Sequence, residues 1–251
     1  MQVLSVFTSY QHLAQVYDQL MTEVPYELWI QYAEKMWKET SPKKIIDLAC
    51  GTGSISIPFA ELGYEVTGVD LSEEMLAVTY NKAKEKGVPI QLLHQDMSEL
   101  EIPMTVDAVV CFCDSLNYLT EPGAVLETFQ RVHHALKPGG LFLFDVHSLY
   151  KINHVFGDHT FTLTEEDIAY IWQCYLEEGS LVTHELTIFV REGPLYKRFE
   201  EVHVQKGYSH EEIVKCLKTA GFDLLSCTAD FTDEAPEEQS ERIFYAAVKT
   251  K

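Results

Sequence analysis

Apolar positions recur at helical intervals along the first forty residues, then give way to short apolar runs. In 9–22, Leu13, Val16, Tyr17 and Leu20 fall three or four apart. In 26–39, Leu28, Trp29, Tyr32, Ala33 and Met36 do the same, and both segments read as helices. Lys44–Ala49 (KIIDLA), Glu65–Val69 (EVTGV), Ile90–His94, Val106–Phe112 (VDAVVCF) and Leu141–Val146 (LFLFDV) read as strands. Between them, 54–62, a segment opened by Ser72, and 122–136 read as helices, and Lys137-Pro-Gly-Gly as a turn. Glu73 and Glu74 fall in the first turn after Ser72, where negative charge suits the helix dipole. Apolar strands alternating with helices predict an α/β fold with a mostly parallel sheet covered on both faces.

The pattern breaks near residue 150. Over 160–206 the helical period vanishes, and alternating runs rich in Thr, Val, Tyr and Phe take over: IAYIWQCYLE, LVTHELTIFV and LYKRFEEVHVQ. Gly179 and Gly193-Pro194 separate them, which predicts an inserted antiparallel sheet of three or four strands. The α/β pattern resumes at Ser209-His-Glu-Glu212, a capping box that opens a helix over 210–220. Gly221-Phe222 ends that helix, and Arg242–Val248 (RIFYAAV) reads as a last strand. The boundaries expected are therefore 1–40, then 41–150 joined with 209–251, and an insertion at 151–208.

Composition narrows the classes of function. The 251 residues are 46% hydrophobic, and 19 Lys and Arg stand against 39 Asp and Glu for a net charge of -20. Binding along a phosphate backbone depends on a basic surface, so extensive nucleic-acid binding is not expected. No run reaches the roughly 20 apolar residues of a membrane span, and the first residues lack the basic start and cleavage site of a signal peptide. The acidic run 230–241 (DFTDEAPEEQSE) reads as a solvated loop. The six cysteines contain no CxxC pair, and Cys111 and Cys113 are expected on one face of a strand. They fit small buried hydrophobes in a reducing compartment, so the expected location is cytoplasmic and no metal site is expected.

The chemistry gathers at strand ends. Asp47-Leu-Ala-Cys-Gly51-Thr-Gly53 follows the first strand, where glycines permit a tight turn and close approach of a ligand. Asp70 ends the second strand, placed to accept hydrogen bonds from ribose hydroxyls, and Asp96-Met97 follows the third, suited to an adenine amine and ring face. The third glycine of a dinucleotide site is Ser56 here, and no triphosphate-binding loop is present. Asp47 adds a carboxylate that suits a cationic ammonium and repels phosphate. Adenosine joined to an amino acid fits best, and that is S-adenosylmethionine.

The strings IIDLACGTGSI (45–55), VTGVDLSEEML (66–76), HQDMSEL (94–100), VDAVVCFCDSLNYL (106–119) and LKPGGLFLFDVHS (136–148) resemble class I S-adenosylmethionine-dependent methyltransferases. The resemblance implies a doubly wound, seven-stranded, Rossmann-like sheet whose last hairpin is antiparallel, and S-adenosylhomocysteine as the product. It also implies that Asp47, Ala49, Gly51 and Gly53 hold the methionine end and Asp70 the ribose. Leu71 and Met75 would flank the adenosine, Asp96-Met97 would bind adenine, and Cys113-Asp114 would pass beside the sulfonium. Tyr10 and VYDQLM (16–21) resemble the lid helix of small-molecule N-methyltransferases, which would make 1–40 a lid. A methyltransferase group of Firmicutes-like bacteria has the same YDxLM, CDSLNYL and FDVHS pieces.

Candidates near the reactive edge are Tyr10 and Tyr17 from the lid, Asp114 with Asn117 and Tyr118 after the fourth strand, and His147 after the fifth. Of these, Tyr10 is expected to bind the cofactor, and Tyr17, Asp114 and His147 are the catalytic candidates. In the insertion, Arg198 and Glu200 share one strand face and His203 lies on the other. The expectation is methyl transfer to N or O of a small polar acceptor beneath the insertion, with a homodimer left open. A protein or RNA acceptor and a non-catalytic cofactor-binding regulator are the alternatives. A nicotinamide oxidoreductase is disfavoured by Ser56.

Overall fold

The structure is a computed structural model that describes Ala14 and residues 17–250. Eleven strands form two sheets among the described residues. β1 (Lys44–Leu48), β2 (Glu65–Asp70), β3 (Ile90–His94), β4 (Val106–Cys111) and β5 (Leu136–His147) are mutually parallel, and β10 (Phe222–Ala229) and β11 (Arg242–Lys249) complete a seven-stranded sheet. Its order is β10-β11-β5-β4-β1-β2-β3, with β11 antiparallel to both neighbours. The chain runs outward from β1 to β3, then returns to β4 on the other side. The sheet therefore reverses direction between β1 and β4, where a crevice opens beyond the strand ends.

The central strands are apolar on both faces because both are covered. Ile46, Leu48, Val109, Phe142 and Phe144 pack toward α5 (Ala124–Ala135) and α6 (His210–Ala220). Ile45, Ala108, Val110, Leu141 and Leu143 pack the other way, toward α2 (Tyr26–Met36) and α3 (Ser56–Glu61). α4 (Glu73–Lys86) begins as expected, with Ser72 accepting the backbone N–H of Met75. The capping box of Ser209 and Glu212 is complete.

β6 (Thr160–Thr164), β7 (Ile168–Glu177), β8 (Leu181–Glu192) and β9 (Leu195–Lys206) form the separate four-stranded antiparallel meander. A π-type turn, Lys151–Phe156, leads into it from β5.

The structure corrects several expectations. β4 ends at Cys111, and Cys113 lies beyond it in the left-handed region, φ 57°, so the two cysteines do not share a strand face. The turn expected at Lys137–Gly140 is drawn into β5, whose pairing with β4 shifts register between Leu136 and Leu141. β10 has no counterpart in the residue pattern. The first helix is described only as α1, Tyr17–Leu20, and the second stops at Met36. Tyr10 lies outside the described residues.

Candidate active site

Two loops meet at the crevice. The first follows β1. Ala49, Gly51 and Gly53 all have positive φ, at 62°, 53° and 81°. The two glycines serve different ends. A Cβ on Gly53 would stand 2.7 Å from Thr79 Cγ2, so this glycine lets the loop close against α4. At Gly51 a Cβ would meet nothing within 4 Å, which leaves bare backbone facing open space. Asp70, at the tip of β2, ties the loop down. Its Oδ2 accepts the Gly51 N–H at 2.8 Å and its Oδ1 the Ser72 N–H at 2.9 Å. Burial raises the Asp70 carboxyl, although those N–H groups offset part of the shift.

Asp47 lies beneath this loop, 2% exposed, with the Ser56 hydroxyl donating to its Oδ2 at 2.5 Å. Burial pushes its carboxyl up to about 7 despite that hydrogen bond, and the Asp70 charge adds to the rise. Ser56 thus serves the carboxylate that a third glycine could not. From α1, Asp18 reaches across the loop: Thr52 donates to its Oδ1 at 2.7 Å, and Lys82 of α4 pairs with its Oδ2 at 2.7 Å.

The second loop follows β4, where Cys113 and Asp114 are consecutive left-handed residues, φ 57° and 54°. Such geometry is strained for residues with a Cβ and persists only where surroundings fix it. Here the fixing group is Asp145 of β5, fully buried. Its Oδ1 accepts the Cys113 N–H at 2.9 Å and Trp29 Nε1 at 2.7 Å, and its Oδ2 accepts the Asp114 N–H at 3.0 Å and the Arg242 guanidinium. Arg242 also reaches Asp114 Oδ1 at 2.9 Å. Burial opposes ionisation of Asp114, but His147 and Arg242 together outweigh it and hold the carboxyl well below its usual range.

His147, at the tip of β5, sits with Nε2 3.2 Å from Asp114 Oδ2 and is 5% exposed. Burial lowers the imidazole by more than Asp114 raises it, which favours the neutral ring. With the Nε2 proton assigned to Asp114, Nδ1 keeps its lone pair. That atom has no hydrogen-bond partner among the described residues. Asn117 braces the residue, its Oδ1 accepting the His147 N–H at 2.9 Å and its Nδ2 donating to the Lys206 carbonyl at 2.8 Å.

The antiparallel sheet joins this cluster directly: Gln205 of β9 donates to Asp114 Oδ2 at 2.8 Å. The face of β9 that looks inward carries Glu201, His203 and Gln205, all buried. His203 pairs in register with His184 of β8, and its ring meets Tyr118 edge-on at 5.9 Å. Burial lowers both imidazoles to about 4. Tyr17 and Leu20 of α1 pack on the apolar end of the same sheet, against Ile168, Ile188 and Val190.

Comparisons with known proteins bear on what such a crevice does. A methyltransferase domain family matches residues 45–140, which hold β1 through β4 and both loops. The chain is 47% identical over 246 residues to a "Putative methyltransferase" of Geobacillus sp. (strain WCH70), covering 96% of this chain and 100% of that one. It is 49% identical over 244 residues to one of Bacillus subtilis (strain 168), covering 96% and 98%. The crystal structure of an S-adenosylmethionine-dependent methyltransferase from Clostridium acetobutylicum ATCC 824 superposes with a TM-score of 0.89 at 33% identity, over 96% of this chain and 99% of that one. The chain belongs to the S-adenosylmethionine-dependent methyltransferases.

S-adenosylmethionine is accordingly the cofactor of this methyltransferase, and the residues present fit it. The open backbone at Gly51, the Asp70 carboxylate beside it and half-exposed Leu71 border one crevice. Asp96 starts a short turn at Met97, its Oδ1 accepting both the N–H and the hydroxyl of Ser98 at 2.7 Å and leaving Oδ2 for another donor. Met97 is half-buried against the core, whereas Met75 is buried at 2% inside α4. Tyr17 lies close to Tyr26, Cys113, Tyr118 and Asp114, where burial first and those neighbours next raise its phenol.

Arg198 and Glu200 form an exposed ion pair on the outer face of β9, away from the crevice, while His203 faces inward. The structure brings to these loops and to the inner face of β8 and β9 residues that the strand-end motifs do not single out: Asp18, Trp29, Asp145, His184, Glu201, Gln205 and Arg242. Asp145 and Arg242 do lie at strand ends, in LFLFDV and RIFYAAV, and that position was their only signal.

Proposed function

We propose that this methyltransferase moves a methyl group to nitrogen or oxygen of a small polar molecule held between the Cys113-Asp114 loop and the inner face of β8 and β9. S-adenosylmethionine supplies, when bound, an electrophilic methyl on a sulfonium. Asp47, Ala49, Gly51 and Gly53 hold its amino-acid end, Asp70 its ribose, and Leu71, Met75, Asp96 and Met97 its adenine side, with Cys113 beside the reactive carbon. α1 covers the crevice, and the insertion caps the acceptor.

The observation that carries this reading is the Asp114–His147–Gln205 cluster, which joins the switch-point loop to a buried polar sheet face. A polar face under a cap favours a polar acceptor, since buried polar groups demand partners. Asp114, held ionised, fixes the His147 tautomer, and Nδ1 is then the lone pair able to take the proton that a neutral amine or a hydroxyl loses on attack. Tyr17 borders the same space and orients the acceptor. The enzyme otherwise works by alignment and by excluding water, because the leaving group is already good.

The test is transfer of labelled methyl from S-adenosylmethionine into a bacterial extract split into small-molecule, protein and RNA fractions. Label in small molecules other than S-adenosylmethionine and its enzyme-free breakdown products is expected; transferred label found only in protein or RNA overturns the acceptor class. Calorimetry with S-adenosylhomocysteine checks the binding half separately.

A further inference from the structure

The inner face of β9 breaks the rule by which a covered sheet face is apolar. Glu201, His203 and Gln205 follow one another at every second position, and all three are buried. Gln205 is explained, because it donates to Asp114. Glu201 is not. It is 4% exposed, and its Oε2 has no hydrogen-bond partner among the described residues. No cation pairs with it among the described residues: the nearest basic side chains of β9, Arg198 and Lys197, pair with Glu200 and Glu192. Burial alone moves its carboxyl, up to about 7. An isolated carboxylate in such a place is costly, and local rules of this kind are broken chiefly where function needs it.

We propose that Glu201 is the recognition group for a cationic amino group on the methyl acceptor, bound at the end of the polar row remote from Asp114. The proposal rests on the methyltransferase reading above and names its substrate class. Glu201 lies four residues along β9 from Gln205, roughly 13 Å at about 3.3 Å per residue. The row Glu201, His203–His184, Gln205 therefore runs from a lone anion to the Asp114–His147 pair. Between its ends burial holds both imidazoles down to about 4, so neither competes for the cation near pH 7. The acceptor on this proposal is elongated: its ammonium lies against Glu201 and the atom that receives the methyl lies beside Cys113 and Asp114. On the side of the apolar cluster, Leu186 pairs with Glu201 in register and Phe199 follows, which would exclude water from the ion pair.

The test uses the full chain with labelled S-adenosylmethionine and a small-molecule bacterial extract separated on a cation exchanger at pH 7. Unreacted S-adenosylmethionine is itself a cation at pH 7 and is resolved from the product by its own elution position in a reaction without enzyme. The labelled product of the wild type is then expected in the retained, cationic fraction. Glu201→Gln is expected to lower that transfer by roughly ten- to a hundredfold, the range of a hydrogen bond to a charged group, while S-adenosylhomocysteine binds unchanged. Glu200→Gln, on the outer face, is the control and keeps wild-type transfer. Label in the neutral or anionic fraction overturns the proposal, as does undiminished transfer by Glu201→Gln. Should that variant fail to fold, the exchanger result with the wild type decides alone. Wild-type protein that binds S-adenosylhomocysteine yet labels no fraction overturns the enzymatic reading itself, and this inference with it.

Discussion

The Asp145 carboxylate accepts the backbone N–H of Cys113 at 2.9 Å, binding the end of β5 to a left-handed residue after β4. Its other oxygen holds Asp114 in the same way, and Trp29 and Arg242 fill its remaining sites. Four donors on one buried carboxylate fix the loop after β4. Asp145→Ala frees that strained backbone and leaves Arg242 short of a counter-charge in the interior. Breaking a buried pair from one side costs about 3–5 kcal/mol. Urea unfolding should show a loss of that size, and a stability within about 0.5 kcal/mol of wild type, the span of neutral surface changes, would refute the account.

The two loop glycines separate stability from binding. Gly53→Ala puts a methyl 2.7 Å from Thr79 at positive φ, so it destabilises the fold whether or not ligand is present. Gly51→Ala meets no neighbour and loses only about 1–2 kcal/mol to its left-handed backbone. Its methyl would fill the face that Gly51 is proposed to offer the cofactor. Thermal unfolding should therefore rank Gly53→Ala as the less stable variant, and calorimetry should find S-adenosylhomocysteine binding lost in Gly51→Ala.

Asp47 predicts a pH dependence. Burial raises its carboxyl from 3.8 to about 7, so the folded chain holds this proton more tightly than the unfolded chain does. Its contribution is fully present below 3.8 and is lost as pH rises toward about 7. If the carboxylate takes the cofactor's ammonium, affinity moves the other way and weakens as pH falls below about 7. Titrations at acid, neutral and mildly basic pH should show that trend in the wild type and its absence in Asp47→Asn.

Binding and chemistry should also come apart between strand tips. Asp70→Ala removes the group that ties down Gly51 and Ser72, and cofactor affinity is expected to collapse. His147→Ala touches neither contact. It should keep cofactor binding and lower transfer by roughly 10²–10⁴, the usual worth of a general base. Equal loss of cofactor binding in both would place His147 in the cofactor shell.

The parallel core was legible because each strand is a short apolar run, buried on both faces and closed by a turn residue. β10 was not, since Phe222–Ala229 lies at the sheet edge with only its two end residues buried, and its Asp, Ser, Cys and Thr blur the alternation. On β9 the alternation was visible but misleading as to the inner face. Val202 is on the outer side, 45% exposed, while Glu201, His203 and Gln205 take the inner one. Ranking faces by hydrophobicity there chooses the wrong side.

The sequence by itself determined the strand–helix order, the glycine loop, the acidic strand tips and the cofactor they suit, because these follow from local periodicity, backbone freedom and the nearest few residues. Tertiary structure decided which distant groups complete the site. Trp29 and Asp145 are 116 residues apart, Asp114 and Gln205 are 91 apart, and Asp114 and Arg242 are 128 apart. Local patterning says which face of a strand a residue occupies but not what the fold lays opposite. That pairing is settled only when β11 joins the sheet and β9 of the meander reaches the Asp114 loop, where buried charges must find their partners.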